Sequence, residues 1–285
     1  MPELPEVETI KLGLQKKTIG LTISNIEVLS PKSFIGKAKD LKNKKIQQVW
    51  RRAKILGIDV EGRMTLLFHL KMTGQLIYNP STRLRASSRF IGGHPTPDMR
   101  DKMPNSHTRV IFTFSDGSHL YFNDQRKFGW IKIVKFGEGI PGTLGPEPLT
   151  KEFSWQILKT NLLRHKSMPV KVAIMDQSVV SGVGNIYANE ACFDAKIDPK
   201  TKVKDLDDLQ FKKLHSGIIK SLTDGIAHGG SSRAHFVDAE GRKGYFLDYA
   251  FVYGRDRKPC KKCGTTIEKI ILGGRGSYFC PTCQQ

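Results

Sequence analysis

Residues 260–283 read CKKCGTTIEKIILGGRGSYFCPTC, two Cys-x2-Cys pairs separated by sixteen residues. Two such knuckles present four thiolates at a spacing that suits tetrahedral Zn2+, and a four-cysteine set leaves no open position for substrate. The metal is therefore expected to be structural. One Zn2+ held by Cys260, Cys263, Cys280 and Cys283 would tie down a module that otherwise lacks a core. The fifth cysteine, Cys192, stands alone. No basic-then-apolar leader is seen, so metal binding is expected rather than a disulfide framework. Between the knuckles, Arg275 is flanked by Gly274 and Gly276 in the turn GGRGSYF. Glycines let the backbone bend closely, and an arginine at such a tip can reach a phosphate; a merely solvated arginine fits the same letters.

Outward from this module, charge defines the partner. The 285 residues carry 46 Lys and Arg against 27 Asp and Glu, a net charge of +19. Such an excess points to a polyanion, because each phosphate neutralised by Lys or Arg releases condensed counterions. No apolar run is long enough to span a bilayer, so nucleic acid is expected rather than a membrane.

From Ile23 to about Ile133 the pattern is strand-like. KIQQVW, KILGIDV, MTLLFHLKM, TRVIFTFSDGSHLYF and WIKIV are rich in β-branched and aromatic residues. Ser115-Asp116-Gly117 is a hairpin signal between two of them. A stretch from 79 to 106 interrupts the pattern with four prolines and with Arg83, Arg85, Arg89 and Arg100. It is long for a connection inside a domain, hence functional or mobile; His94 and Asp98 within it, with His107 just after it, fit a solvated loop better than a metal site. After LGPEPL (144–149) the periodicity turns helical from Lys151 to Ala227. Gly229-Gly230-Ser231-Ser232 ends it, and a basic loop and a strand-like YAFVYG (249–254) lead into the cysteines. The expected class is α+β and multidomain. It comprises an N-terminal helix plus β-sandwich over 1–135, a linker over 136–150, a helical domain over 151–250 and a zinc finger over 251–285.

Two further signals carry chemistry. In GVGNIYANE (182–190), two glycines and Asn185 precede a new helix. A helix N-terminus of this kind presents free amides that bind phosphate without base preference; a plain helix–turn–helix corner is the alternative. At the N-terminus, MPELPEVETIKL predicts a helix with proline in its first positions and acids on its dipole. With Met1 removed, Pro2 exposes a secondary amine whose reference pKa is roughly 7.7–8.0. Such an amine attacking a carbonyl-level carbon forms an iminium, a permanently charged electron sink that needs no cofactor. Glu3 could pass protons beside it, and Glu6 lies one turn on along the same face. As local chemistry, the same residues equally describe a capped helix.

MPELPEVET at the start, RRAK (51–54), HLKMTG (69–74), DQRKFG (124–129), LGPEPL, MDQSVVSGVGNIYANE (175–190), VYGR (252–255) and the four-cysteine module follow one another in a fixed order. The series resembles the formamidopyrimidine-DNA glycosylases from first residue to last, and Leu4 resembles that branch rather than the endonuclease VIII-like one. The resemblance implies a helix–two-turn–helix arrangement in the helical half, with DNA in a basic cleft between the halves. It implies a bifunctional glycosylase and abasic-site lyase for 8-oxoguanine and formamidopyrimidines. Pro2 would be the nucleophile at the sugar C1′, Glu3 the proton donor that opens the ring, and Lys54 a phosphate contact beside the lesion. His69, Asn185, Tyr253 and Arg275 match the other phosphate-holding positions. Lys171 matches a lysine near the flipped nucleotide, and Glu6 a lesion contact or proton relay. Met72, Arg126 and Phe128 match three residues that fill the space an everted base vacates; without the resemblance Met72 and Phe128 would be assigned to the core. The implied partner is double-stranded DNA with oxidised bases, bound by a monomer in a bacterial-type cytoplasm. Gln125, in a place usually held by proline or an aliphatic residue, the long 79–106 stretch, and the divergent end of GGSSRAHFVDAEGRKGYF (229–246) depart from the family pattern. The alternatives are the same chemistry on oxidised pyrimidines, or a silent damage-binding protein.

Overall fold

The apolar alternation after residue 20 builds two sheets. The computed structural model describes residues 1–81, 90–93, 103–231 and 245–285. The arginines at 83, 85, 89 and 100, His94, Asp98 and most of the divergent loop lie outside them. By contacts the described residues divide into two compact units, one within Met1–Ile140 and one made of Pro141–Ser231 with Tyr245–Gln285.

The first unit opens with helix α1 (Leu4–Thr18), followed among the described residues by ten strands. These are β1 (Ile23–Val28), β2 (Phe34–Ile35), β3 (Ile46–Arg52), β4 (Ile55–Val60), β5 (Met64–His69), β6 (Gly74–Asn79), β7 (Phe90–Gly93), β8 (Thr108–Phe114), β9 (His119–Asp124) and β10 (Trp130–Lys135). They form two five-stranded sheets in the orders β1-β8-β9-β6-β7 and β2-β10-β5-β4-β3. All pairs are antiparallel except β2 with β10. Register sets the core. Val110, Phe122 and Leu76 align across one sheet, and Leu56, Phe68 and Ile131 across the other. Both rows belong to one apolar cluster, joined by Phe68 and Phe112 with ring centroids 6.1 Å apart. Because strand side chains alternate, Ile77, Ile111 and Tyr121 fall on the opposite face and make a small cluster of their own. Val7, Ile10 and Leu14 put one face of α1 into the main cluster. The expected 115–117 turn joins β8 to β9, and Asp116 Oδ1 accepts the Ser118 amide at 2.9 Å.

The second unit contains α2 (Trp155–Leu162), α3 (Val170–Ala173), α4 (Asn185–Asp194), α5 (Asp208–Ala227) and α6 (Phe246–Tyr249), then a hairpin of β11 (Glu268–Leu272) and β12 (Arg275–Phe279). Ser154 caps α2, and an Asp207–Gln210 capping box starts α5. The LGPEPL segment is bound to the turn before α4. Gly145 N–H donates to Gln177 O at 2.7 Å, and Ser181 N–H to Pro146 O at 3.0 Å. The Gln177 side chain braces that turn from within, accepting from Gly182 N–H at 2.9 Å and donating to Val183 O at 2.8 Å. The zinc-finger segment shares a core with α4, since Phe193 packs with Val252, Ile267, Tyr278 and Cys280. YAFVYG is not a strand. Its amides at 251–253 all donate to the buried Glu190 carboxylate, at 2.8–3.0 Å, so no neighbouring strand is needed to satisfy them.

Phe112→Ala is expected to destabilise the protein by about 3–5 kcal/mol, the cost of emptying an aromatic core site. Phe136→Ala, at a residue 53% exposed, should stay within about 0.5 kcal/mol. Urea unfolding of both variants measures the contrast.

Candidate functional site

Four ionisable or nucleophilic residues meet at the start of α1. Pro2 is buried. Glu3 is the N-cap, and Glu6 Oε2 accepts its amide at 2.8 Å. Glu3 and Glu6 are 4% and 1% exposed. Lys54 enters from the β3–β4 hairpin and is itself only 6% exposed. Burial pushes its ammonium below the ordinary lysine range, and the Glu3 and Glu6 carboxylates pull it back up. Two acids and an amine thus share a site with almost no water.

The hairpin that delivers Lys54 is anchored to α1. Ala53, in its two-residue turn, has φ of 53°, a conformation that costs a residue with a Cβ. Arg51 stabilises it, with Nη1 donating to Ala53 O at 3.1 Å and Nε to Glu8 Oε2 at 2.8 Å. Burial pushes Glu8 up, but hydrogen bonds from Lys11 and Arg51 outweigh it and hold the carboxyl below the usual range. Arg51 and Glu8 were not among the expected site residues; the first arginine of RRAK was the available signal.

His69 ends β5. Burial lowers its pKa to about 4, helped by the positive charges of Lys71 and Lys54. Its Nδ1 accepts the Lys71 amide at 3.1 Å. The ring is therefore neutral at physiological pH with its proton on Nε2, a hydrogen-bond donor without charge. Met72 and Phe128 are 37% and 57% exposed, so neither belongs to the core. The Arg126 guanidinium lies 5.1 Å from the Phe128 ring centre.

The second unit gathers the remaining residues around α4. Asn185, its first residue, donates through Nδ2 to Gly276 O at 3.2 Å and accepts from Lys171 Nζ at 2.5 Å. Lys171 is fully buried. Asn189 accepts the Tyr278 amide at 2.7 Å. Glu190 holds the Tyr253 amide at 2.8 Å, and the Tyr253 ring meets Tyr278 edge-on with centroids 5.1 Å apart. The helix after GVG thus docks the zinc module along one side, a role its sequence did not announce. Arg275 is exposed. It is the first residue of β12, and the turn itself is Gly273-Gly274, with φ of 54° and 71°. Cys192 is buried, which pushes its thiol up to about 12 and makes it inert.

The sulfurs of Cys260, Cys263, Cys280 and Cys283 all lie within 4.8 Å of one another. Cys263 is 3.4 Å from both Cys280 and Cys283, and Cys260 is 3.9 Å from Cys283. A tetrahedron with Zn–S of about 2.3 Å has edges of about 3.8 Å, so the four thiolates fit one structural Zn2+.

Sequence comparison agrees with this geometry over nearly the whole chain. Residues 1–131 match the formamidopyrimidine-DNA glycosylase N-terminal domain, 144–236 the H2TH domain of the same glycosylases, and 257–285 a zinc finger found in FPG and IleRS. The chain belongs to the formamidopyrimidine-DNA glycosylase family. The enzymes of that name from Ligilactobacillus salivarius and Bacillus subtilis are 37% and 39% identical, over 292 and 297 residues, covering 100% of this chain and 99% of theirs. Among solved structures, a Lactococcus lactis FPG variant in complex with Fapy-dG-containing DNA has a TM-score of 0.85 at 31% identity, with 100% of both chains covered. MutM in complex with DNA containing carbocyclic 8-oxo-G has a TM-score of 0.84 at 32% identity and the same coverage. As a member of this family the protein is a DNA glycosylase that carries a structural zinc finger. No helix among the described residues is long and apolar enough to cross a membrane.

Two measurements test the site. The His69 ring should titrate near pH 4 by NMR; a midpoint above 6 contradicts the buried neutral tautomer. Between those values the unfolded chain binds a proton that the folded chain refuses, so stability falls as pH drops from 6.5 toward 4. His69→Gln should flatten that slope. Elemental analysis should find one zinc per chain, lost in Cys283→Ala together with the dispersion of the Tyr253 and Tyr278 resonances.

Proposed function

We propose that the protein excises oxidised purines from duplex DNA and then cleaves the strand, with the Pro2 amine as nucleophile. The observation that carries this reading is the buried group of Glu3, Glu6 and Lys54 around Pro2 at the start of α1. A dry site of this kind is where proton transfers and charge stabilisation count most. The Lactococcus lactis relatives bound to Fapy-dG or abasic-site DNA, and the MutM complex with an 8-oxo-G analogue, supply the substrate class.

Once Met1 is gone, the secondary amine attacks C1′ of the damaged nucleotide and the base departs with a proton. Glu3 takes up the proton shed by the attacking nitrogen and passes it to the sugar ring oxygen as the C1′–O bond opens, leaving an iminium. The iminium acidifies the C2′ proton, and its loss expels the 3′ phosphate by β-elimination. A second, δ-elimination expels the 5′ phosphate and leaves a one-nucleoside gap. Lys54, drawn toward its charged form by Glu3 and Glu6, and neutral His69 grip phosphates beside the lesion. Asn185, Tyr253 and Arg275 are further phosphate contacts, with Lys171 acting through Asn185. Met72, Arg126 and Phe128 fill the space of the everted base. One chain holds every group used, so a monomer suffices, acting on chromosomal DNA in a bacterial cytoplasm.

Borohydride should trap a covalent protein–DNA adduct on an 8-oxoguanine duplex, using protein whose intact mass shows that Met1 is absent. Pro2→Gly should lower trapping by at least about 100-fold, the scale on which losing an activated nucleophile is felt. No adduct from correctly processed protein rules out the nucleophile assignment.

A further inference from the structure

We propose that Asp124 is a positioning residue that locks Met72, Arg126 and Phe128 into one rigid wedge. The inference rests on the reading of those three as space fillers. The wedge residues lie on two separate loops. Residues 70–73 lead from β5 in one sheet to β6 in the other, and residues 125–129 lead back from β9 to β10. They are adjacent crossovers between the two layers, since Gly74 pairs with Asp124 and His69 with Trp130.

The Asp124 carboxylate sits between these crossovers and is fully buried. Its Oδ1 accepts from the Thr73 hydroxyl on the first loop and from the Arg126 amide, at 3.2 Å, on the second. Its Oδ2 accepts from the Gly129 amide at 2.6 Å. Thr73 Oγ1 in turn accepts the Arg126 amide at 3.0 Å. One side chain therefore ties both loops next to the fillers, through the Thr73 hydroxyl and two backbone amides.

The fillers need this tie because core packing alone does not fix them. Met72 and Phe128 are 37% and 57% exposed, so packing orients them only in part. Each follows a lysine in the left-handed region, Lys71 at φ of 51° and Lys127 at φ of 59°, which is a strained way to aim a side chain. The loops close at glycines with no room for more. A Cβ on Gly74 would lie 2.4 Å from Leu70 O, and one on Gly129 would lie 2.8 Å from the Phe122 ring and 3.1 Å from Asp124 Oδ2. Three donors converge on two acceptor oxygens. An amide in place of the carboxylate would turn an N–H toward one of those donors and break one loop free.

Eversion of a base needs the wedge, whereas a pre-formed abasic site has no base to evert. Asp124→Asn and the milder Thr73→Val, which removes the hydroxyl's bonds to Asp124 and to the Arg126 amide but leaves the carboxylate on the second loop, are therefore compared with wild type on two duplexes. One carries 8-oxoguanine and the other an abasic site. Single-turnover excision of 8-oxoguanine should fall at least 10-fold in both variants, while borohydride trapping on the abasic duplex falls less than 3-fold. Thr73→Ser should restore excision. In a Met72→Ala, Phe128→Ala background, Thr73→Val should add less than 2-fold. Equal losses on both duplexes, or full additivity, overturn the positioning role. If Met72→Ala and Phe128→Ala slow excision and Thr73→Val does not, the inference fails alone. If those two leave excision at wild-type rate, the filler reading itself fails.

Discussion

A carboxylate removed from water must be met by donors, and this fold uses that requirement wherever irregular backbone has to be held still. Glu6 accepts the amide that begins α1, Asp124 the donors of two crossovers, and Glu190 three successive amides at 251–253. Burial pushes Glu190 up while those amides draw it down, the balance expected of a dry acid serving as a backbone clamp. Each clamp stands at a place where strand or helix bonding ends, and each is next to residues that would handle DNA.

The same desolvation gives neighbouring cationic groups different characters. His69 loses its charge and becomes a neutral donor. Lys54 is also pushed down, but it faces Glu3 and Glu6, whose carboxylates favour its protonated form. A phosphate approaching both would meet one full charge and one dipole. Beside Pro2 the Glu3 and Glu6 carboxylates face Lys54, while His69 adds no further positive charge.

Much of the fold was legible because periodicity and turn chemistry act locally. The strand runs after Ile23, the Ser115–Gly117 hairpin and the helical half after Lys151 follow from residue type and spacing. YAFVYG misled because its amides find a partner 61–63 residues away, in Glu190; no window around it contains that information. Met72 and Phe128 were apolar letters in strand-like surroundings, and only the ordered motifs moved them out of the core. Each is preceded by a left-handed lysine, a backbone state that the sequence does not mark. Lys171 matched a nucleotide-side position by motif, yet its ammonium lies buried against Asn185.

By itself the sequence determined the zinc ligands, the basic charge, the β-then-helical order and the identity of the residues beside Pro2. Ligand spacing and alternation are properties of the chain alone. Only the tertiary structure decided which groups are dry, which loops are neighbours and which side chains hold others in place. Those depend on contacts between residues far apart in the chain: Arg51 on Glu8, Thr73 on Asp124, Asn189 on the Tyr278 amide. A pKa, a donor's direction or an exposed phenylalanine follows from such contacts, because burial and hydrogen bonding are set by what surrounds a group and not by what precedes it.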